Sequence, residues 1–276
     1  MSLRRATEIL LISAVAMAAC RDDSGPGSGI TIGDLVGTWN ATTVTYTSQE
    51  DAADRVDLIA GGGFASLTVV ASGEYTFVLV PAHDDAEVAS GFIVIESGFL
   101  LAQNILGPGV TVAFAMTVTG STLGLVSDEP TYDFNGDEEE EPAILQIGLR
   151  RAAGVTVAHL EGSWVATEYR LISQPTAVDT FDIIAENGSL SVTFDELGRY
   201  TANVAEPGEP PIVETGAATV LNDRLILISV GQPSVPTEYM VQVSGDAVAL
   251  QRQTRFDFGG DGTLEDARVE IVLNRT

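Results

Sequence analysis

The segment DLVGTWNAT, residues 34–42, returns as HLEGSWVAT at residues 159–167. Trp39 and Trp164 hold the same place in the two copies, with an offset of 125 residues (164 − 39). A match sustained from the first strand to the last indicates a duplication, so the sequence predicts two tandem domains, residues 31–154 and 155–276. The offset, which slips to 124 near the end of the copy, relates the pairs Asp57–Asp182, Gly63–Gly188, Tyr75–Tyr200, Gly120–Gly245, Asp133–Asp257, Asp137–Asp261 and Arg151–Arg275.

Apolar and polar residues alternate within each copy, over short runs broken by Gly, Asn, Asp and Pro. The run VTVAFAMTV, residues 110–118, places Phe114 and Met116 on one face, and DARVEIVLN, residues 266–274, repeats the pattern. This period of two predicts antiparallel strands with one solvated face. We count eight to nine strands per copy and predict an all-β protein of two up-and-down barrels, because closure removes exposed strand edges. No segment after the N-terminal signal has a helical period.

Two features of each copy resemble features of a known protein family. The segments GTW (37–39) and GSW (162–164) resemble the G-x-W motif that opens the first strand of lipocalin-type barrels. Family members also carry an arginine near the end of the last strand that stacks on this tryptophan, and Arg151 and Arg275 stand at the matching places. The resemblance implies lipocalin-like barrels, the stacks Arg151–Trp39 and Arg275–Trp164, and an interior that can hold a small apolar ligand. The alternatives remain that a buried tryptophan opens an unrelated β domain, or that large side chains fill the barrel.

The N-terminus has the features of an export signal. MSLRRATEILLISAVAMAAC, residues 1–20, joins a basic start to an apolar run that is too short for a permanent membrane span. Its last four residues resemble a bacterial lipobox, which implies a signal peptide of residues 1–19, cleavage before Cys20 and lipid attachment to its sulfur. Cys20 is the only cysteine of the chain, so no disulfide competes for it. Residues 20–30 are predicted to be a flexible tether. We expect a lipoprotein of the bacterial cell envelope, in the outer membrane on its periplasmic or surface face.

The charge of the chain restricts its partners. Its formal net charge is −26, and all 13 cations are Arg. Such a chain repels nucleic acid, so we expect no nucleic-acid partner; cations and the membrane reached through the lipid anchor remain. Hydrophobic residues make up 45% of the chain, which is enough for packed cores.

Two acidic loops are candidate calcium sites. DFNGDEEEE, residues 133–141, and DFGGDGTLE, residues 257–265, place oxygen-bearing side chains at alternate positions around a glycine turn, as a calcium ion requires. The spacing resembles the loops of FG-GAP repeats. An acidic hairpin turn without an ion is the alternative, since Asn, Gly and Asp are common turn formers. The candidate ligands are Asp133, Asn135, Asp137 and Glu141 in the first loop, and Asp257, Asp261 and Glu265 in the second.

The sequence offers little catalytic chemistry. The two histidines, His83 and His159, belong to no spaced cluster, and we expect both in solvated loops. We therefore predict a non-enzymatic binding or interaction module, without a cofactor other than calcium, that holds a small apolar ligand. The alternative is a structural or adhesion protein with calcium-stiffened loops; an exported carboxylate hydrolase ranks last. The protein partner stays open.

Overall fold

The alternating segments form nineteen strands in the part of the chain that our computed structural model describes, residues 29–174 and 176–276. The predicted signal peptide, Cys20 and most of the predicted tether lie outside these residues. The strands close into two antiparallel eight-stranded barrels in tandem, which confirms the predicted fold class and is consistent with a duplicated lipocalin-like fold.

The first barrel is built from ten strand segments. Two barrel strands are interrupted: β2 and β3 pair with opposite ends of β1, while β8 and β9 pair with neighbouring parts of β10. The first and last segments pair to close the barrel. The segments are β1 (Gly37–Ser48), β2 (Arg55–Asp57), β3 (Phe64–Val69), β4 (Glu74–Val80), β5 (Glu87–Glu96), β6 (Phe99–Gln103), β7 (Thr111–Thr119), β8 (Thr122–Ser127), β9 (Thr131–Tyr132) and β10 (Glu141–Arg151).

The second barrel repeats this order with nine segments, because its seventh barrel strand is uninterrupted. β11 pairs with β19 to close it. The segments are β11 (Gly162–Ser173), β12 (Thr180–Asp182), β13 (Ser189–Phe194), β14 (Arg199–Ala205), β15 (Ile212–Leu221), β16 (Arg224–Ser229), β17 (Gln232–Ser244), β18 (Ala247–Phe256) and β19 (Glu265–Arg275).

One helical turn precedes each barrel, although no segment after the predicted signal has a helical period. These turns are α1 (Ile32–Leu35) and α2 (Val157–Leu160). Four residues are too few to show a helical period, so the alternation analysis could not detect them. His159 therefore lies in α2, where its Nδ1 is 3.1 Å from the backbone nitrogen of Thr156, and not in a loop. Neither helix has the length or apolar character needed to cross a membrane.

The helical turns hold the tryptophans. Trp39 is fully buried, and its indole N–H donates to the carbonyl of Leu35 at 2.7 Å. Trp164 makes the same bond to Leu160 at 2.6 Å. Each turn thus gives the one polar atom of a buried indole its partner, and this closes one end of the barrel.

Each barrel encloses its own apolar core, made from the inward-facing residues of its strands. A tyrosine of each core packs against a glycine on the next strand. A Cβ at Gly91 would lie 3.2 Å from the Tyr75 ring, and one at Gly216 would lie 2.8 Å from the Tyr200 ring. The glycines therefore allow both rings to lie flat against the wall of the barrel.

The two barrels contact each other through outer sheet faces that are not equivalent in the repeat. The β3–β4 face of the first barrel meets the β15–β16 face of the second, where Val78 packs with Ala217 and Ile228. The hydroxyls of Ser66 and Thr219 are 2.7 Å apart within this contact. The contact is therefore heterologous: different faces of equivalent barrels meet.

Candidate functional site

The first acidic loop brings its predicted carboxylates together. Oxygen atoms of Asp133, Asp137 and Glu141 lie within 4.8 Å of one another, in the one group of this kind among the described residues. The Asp133 carboxylate accepts backbone N–H bonds from Gly136 at 2.6 Å and Glu138 at 2.9 Å. Partial desolvation opposes ionisation of Asp133, but the backbone donors outweigh it and hold its pKa below the usual value.

The remaining predicted ligand of this loop, Asn135, is engaged in hydrogen bonds within the turn. The amide oxygen of Asn135 accepts the Asp137 N–H at 2.9 Å, and its nitrogen donates to Glu141 at 3.1 Å. The loop thus supplies three carboxylates to one point, and its turn is closed by its own hydrogen bonds.

The second acidic loop is arranged differently. The Asp257 carboxylate accepts N–H bonds from Asp261 at 3.2 Å and Gly262 at 2.7 Å. Hydrogen bonds from Thr263 lower the pKa of Asp261. Glu265 does not join these two carboxylates in a group that could share an ion, although it begins β19 as Glu141 begins β10. The two loops are therefore alike in sequence and unlike in ligand geometry.

The arginines near the end of each last strand lie over the tryptophans. The Arg151 guanidinium is 4.1 Å from the ring centroid of Trp39, and that of Arg275 is 4.3 Å from Trp164. Arg151 also donates to the carbonyl of Val36 at 2.6 Å. These contacts join the first and last strands to the helical turn and are structural. Cys20, the predicted lipid-attachment residue, lies outside the described part of the chain.

The interior of the first barrel is packed with large side chains. Trp39, Tyr75 and Phe114 are fully buried, while Phe77 and Met116 are 7% and 4% exposed. A depression of about 510 Å³ lies beside this core, between β5 and the loop that follows β6. Its wall includes Phe77, Ala89 and Ile105, which belong to the core or pack against it. The alternative of a filled barrel therefore describes the first copy.

The second barrel contains a cavity of about 100 Å³ that opens to solvent. Its wall is mainly apolar and includes Phe194, Ala202 and the rings of three tyrosines, Tyr169, Tyr200 and Tyr239. The position of Phe77 in the first barrel is taken here by Ala202, which removes a ring from the interior. Sequence reasoning missed this cavity.

Polar groups converge at the mouth of this cavity. The hydroxyl of Tyr200 donates to the carboxylate of Glu214, which lines the cavity and is exposed to solvent, at 2.5 Å. The guanidinium of Arg252 lies 5.4 Å from the ring centroid of Tyr239. Its Nε is buried and has no hydrogen-bond partner among the described residues. The mouth thus presents the carboxylate of Glu214, while Arg252 lies beside the Tyr239 ring and is not one of the residues that line the cavity.

The tyrosines of the cavity remain neutral at physiological pH. Burial raises the pKa of Tyr169 to about 12. Burial and the hydrogen bond to Glu214 raise the pKa of Tyr200, and burial raises that of Tyr239 against the opposing charge of Arg252. Their hydroxyls are therefore donors and acceptors of hydrogen bonds, not bases.

The signal for this site was present in the repeat. At the shared offset, the first barrel has small or apolar residues where the second has the polar mouth. A comparison of inward-facing positions across the copies would have found it. The replacements, first barrel to second, are Val44 to Tyr169, Phe77 to Ala202, Ala89 to Glu214, Phe114 to Tyr239 and Ser127 to Arg252.

Comparisons with known proteins leave the site to be interpreted from its own chemistry: no protein-family model matches the chain, and a search of curated proteins gives no match.

Proposed function

We propose that the chain is a non-catalytic binding module of the bacterial cell envelope, anchored by a lipid on Cys20, in which the second barrel holds a small apolar ligand. The first barrel acts as a filled support. The observation that carries this proposal is the cavity of about 100 Å³ in one copy of a duplicated barrel, at the place where the other copy has Phe77.

The cavity limits the size of the ligand. A dry apolar cavity of about 150 Å³ binds benzene, so this one takes an apolar group of a few carbon atoms. A larger ligand must leave its other end in the mouth, beside Glu214. We expect that end to carry hydrogen-bond donors, because the exposed carboxylate of Glu214 can accept further hydrogen bonds.

A binding role fits these groups better than catalysis. The Glu214 carboxylate is engaged by the Tyr200 hydroxyl, and neither histidine is among the residues that line the cavity. A neutral tyrosine with a raised pKa is a poor general base at physiological pH. The arrangement can orient a ligand, and it lacks the paired acid and base that hydrolysis by carboxylates uses.

The ligand site can be tested with benzene and phenol as probes, by following methyl resonances in the NMR spectrum of the full chain. We expect both probes to shift the resonances of Leu225, Leu227 and Ile271, which line the cavity. Ala202→Leu should abolish the shifts, and Ala102→Leu, the matched change in the first barrel, should leave them. No shift with either probe, or binding that survives Ala202→Leu, would overturn the proposal.

The anchor is tested separately. Cys20→Ser should prevent lipid attachment, so the protein should move from the membrane fraction to the soluble fraction of its cells and lose the mass of the lipid. Membrane association that persists unchanged would contradict anchoring through Cys20, without bearing on the cavity.

A second function is favoured by one observation, the carboxylates of Asp133, Asp137 and Glu141 within 4.8 Å of one another. Three hard oxygen ligands on a surface loop are suited to a weak calcium site, with the affinity typical of extracellular modules. In this case calcium would stiffen the last hairpin of the first barrel, and the protein would be a structural or adhesion component. The two functions are compatible, because the loop is remote in sequence from the residues that line the cavity.

A further inference from the structure

The outer wall of the first barrel carries an exposed apolar sheet face. Phe92 and Val94 are each 50% exposed and Phe99 is 47% exposed. We call this surface the apolar face. It consists of the outward residues Phe92, Val94, Phe99, Leu101, Ala113, Ala115 and Val126, on strands β5 to β8.

The residues of the apolar face are contiguous across four strands. The strand register pairs Val94 with Leu101, Phe99 with Ala115, and Ala115 with Val126. Carboxylates flank it on both sides: Glu74 pairs with Phe92, Glu96 pairs with Phe99, and Glu129 accepts the Ala113 N–H at 3.3 Å. An uncharged aromatic surface with an acidic rim, on a chain of net charge −26, has the composition of an interface core.

The second barrel shows what covers the equivalent surface. At the shared offset, Phe92 corresponds to Ala217, Val94 to Thr219 and Leu101 to Ile226. These three residues of the second barrel are buried, at 3%, 2% and 2% exposure. This β15–β16 surface is buried by the outer β3–β4 face of the first barrel.

The apolar face also continues from that established interface. Val78, buried between the barrels, pairs across the strands with Val88, which is 43% exposed. Val88 lies on β5, on the same side as Phe92 and Val94. The apolar surface of the first barrel therefore resumes on β5 beyond the covered part, with Ser90 as one polar residue between Val88 and Phe92.

We propose that the apolar face binds the apolar face of a second copy of this chain, in a two-fold symmetric dimer. A self-complementary contact places aromatic and aliphatic groups opposite each other and keeps the acidic residues at the rim, where water screens their repulsion. The other free sheet face does not suit the apolar face, because the β13–β14 surface exposes Ser189, Thr193, Thr201 and Asn203. The first barrels meet at the centre of the dimer, and the second barrels lie at its ends.

Sedimentation velocity of the full chain, in a detergent that keeps its N-terminal segment soluble, tests the proposal over a wide concentration range. We expect a monomer–dimer equilibrium. Val94→Asp should weaken dimerisation at least about a hundredfold, because the two-fold axis brings two unpaired carboxylates into the contact. Val165→Asp is the matched control, since Val165 is an outward-facing valine, 43% exposed, on β11 of the second barrel.

Three results would overturn the dimer. The chain could remain a monomer at every concentration. Val94→Asp and Val165→Asp could have the same effect on association, provided that both retain the wild-type unfolding midpoint. A monomeric chain could instead bind neutral phosphatidylcholine vesicles and lose this binding in Val94→Asp, which would identify the apolar face as a lipid-binding surface.

Discussion

Filling the cavity of the second barrel should stabilise the protein, whereas the same change in the first barrel should destabilise it. The perturbation is Ala→Leu at one inward position of each barrel. Ala202 lines the cavity and is 8% exposed, while Ala102 is 1% exposed within a packed core. The second barrel already has leucine, Leu227, at the position equivalent to Ala102. The two changes add the same atoms, so only the space around them differs.

The size of the effect follows from the cavity. A cavity of about 100 Å³ costs about 2.4 kcal/mol at about 24 cal/mol per Å³. Three added carbon atoms, at about 0.8 kcal/mol each, contribute the same amount on burial. Ordering a leucine side chain opposes this by about 0.5–1 kcal/mol. Ala202→Leu should therefore raise the free energy of unfolding by about 1.5 kcal/mol, and Ala102→Leu should lower it by about 1–3 kcal/mol through overpacking.

The two barrels can be followed separately, because each has one of the two tryptophans, Trp39 and Trp164. Urea unfolding by fluorescence in Trp39→Phe and Trp164→Phe backgrounds reports one barrel at a time. A shift of the midpoint with an unchanged dependence on urea measures a change in stability alone. If Ala202→Leu destabilises the second barrel by about 1 kcal/mol or more, the interior is already full and the reasoning is refuted.

Three other predictions address the loops and the closing contacts. Calcium at ten times its Kd should stabilise the wild type by about 1.4 kcal/mol in thermal unfolding, and Asp137→Ala should remove this gain; an equal response in both would exclude the first loop. Arg151→Met should lower the free energy of unfolding by about 2 kcal/mol, because it loses a cation–π contact and two carbonyl partners, whereas Arg150→Met on the exposed side should change it little. Burial raises the pKa of Tyr46 and of Tyr169 to about 12, so above about pH 10 the unfolded chain holds fewer protons than the folded chain. The free energy of unfolding should therefore fall by about 1.4 kcal/mol per pH unit for each tyrosine. Urea midpoints that stay constant up to about pH 11 would contradict this.

The barrels could be predicted because several local signals agreed. Alternation of period two, turn residues at regular spacing and a repeat of constant offset all indicate short antiparallel strands. Trp39 and Arg151 could be paired in advance through the resemblance to lipocalin-type barrels, and the pairing of the first strand with the last is consistent with that stack. The helical turns α1 and α2 could not, since four residues carry no periodic signal.

The candidate site escaped prediction for a different reason. Alternation separates inward from outward residues, but it does not say whether inward residues fill the space they share. The cavity exists because Ala202 stands where the first copy has Phe77. Tyr169 and Tyr239 fill only part of the space that the missing ring leaves. Such a balance of volumes is a property of the packed interior, which no single strand reveals.

The calcium prediction shows the same limit in the loops. The two acidic segments have similar spacing, yet three carboxylates converge only in the first. Positive φ stands at equivalent places in the two loops, at Gly136 and Glu138 in the first and at Gly260 and Gly262 in the second. The turns are therefore similar, and the loops differ in side chains: Asn135 donates to Glu141 in the first loop, whereas Gly259 takes its place in the second.

The contact between the barrels has a direction, and direction decides how an assembly grows. When one surface of a unit binds a different surface of an equivalent unit, the pair still has one free surface of each kind. Further copies can bind at these free surfaces, and repeated addition produces fibres. Here the unused β13–β14 surface exposes Ser189 and Asn203, which offer no apolar match to Phe92. Because one of its two free surfaces is polar, the covalently joined pair of barrels terminates such growth. For a strongly acidic protein rich in β-strands, that termination is a safeguard against polymerisation.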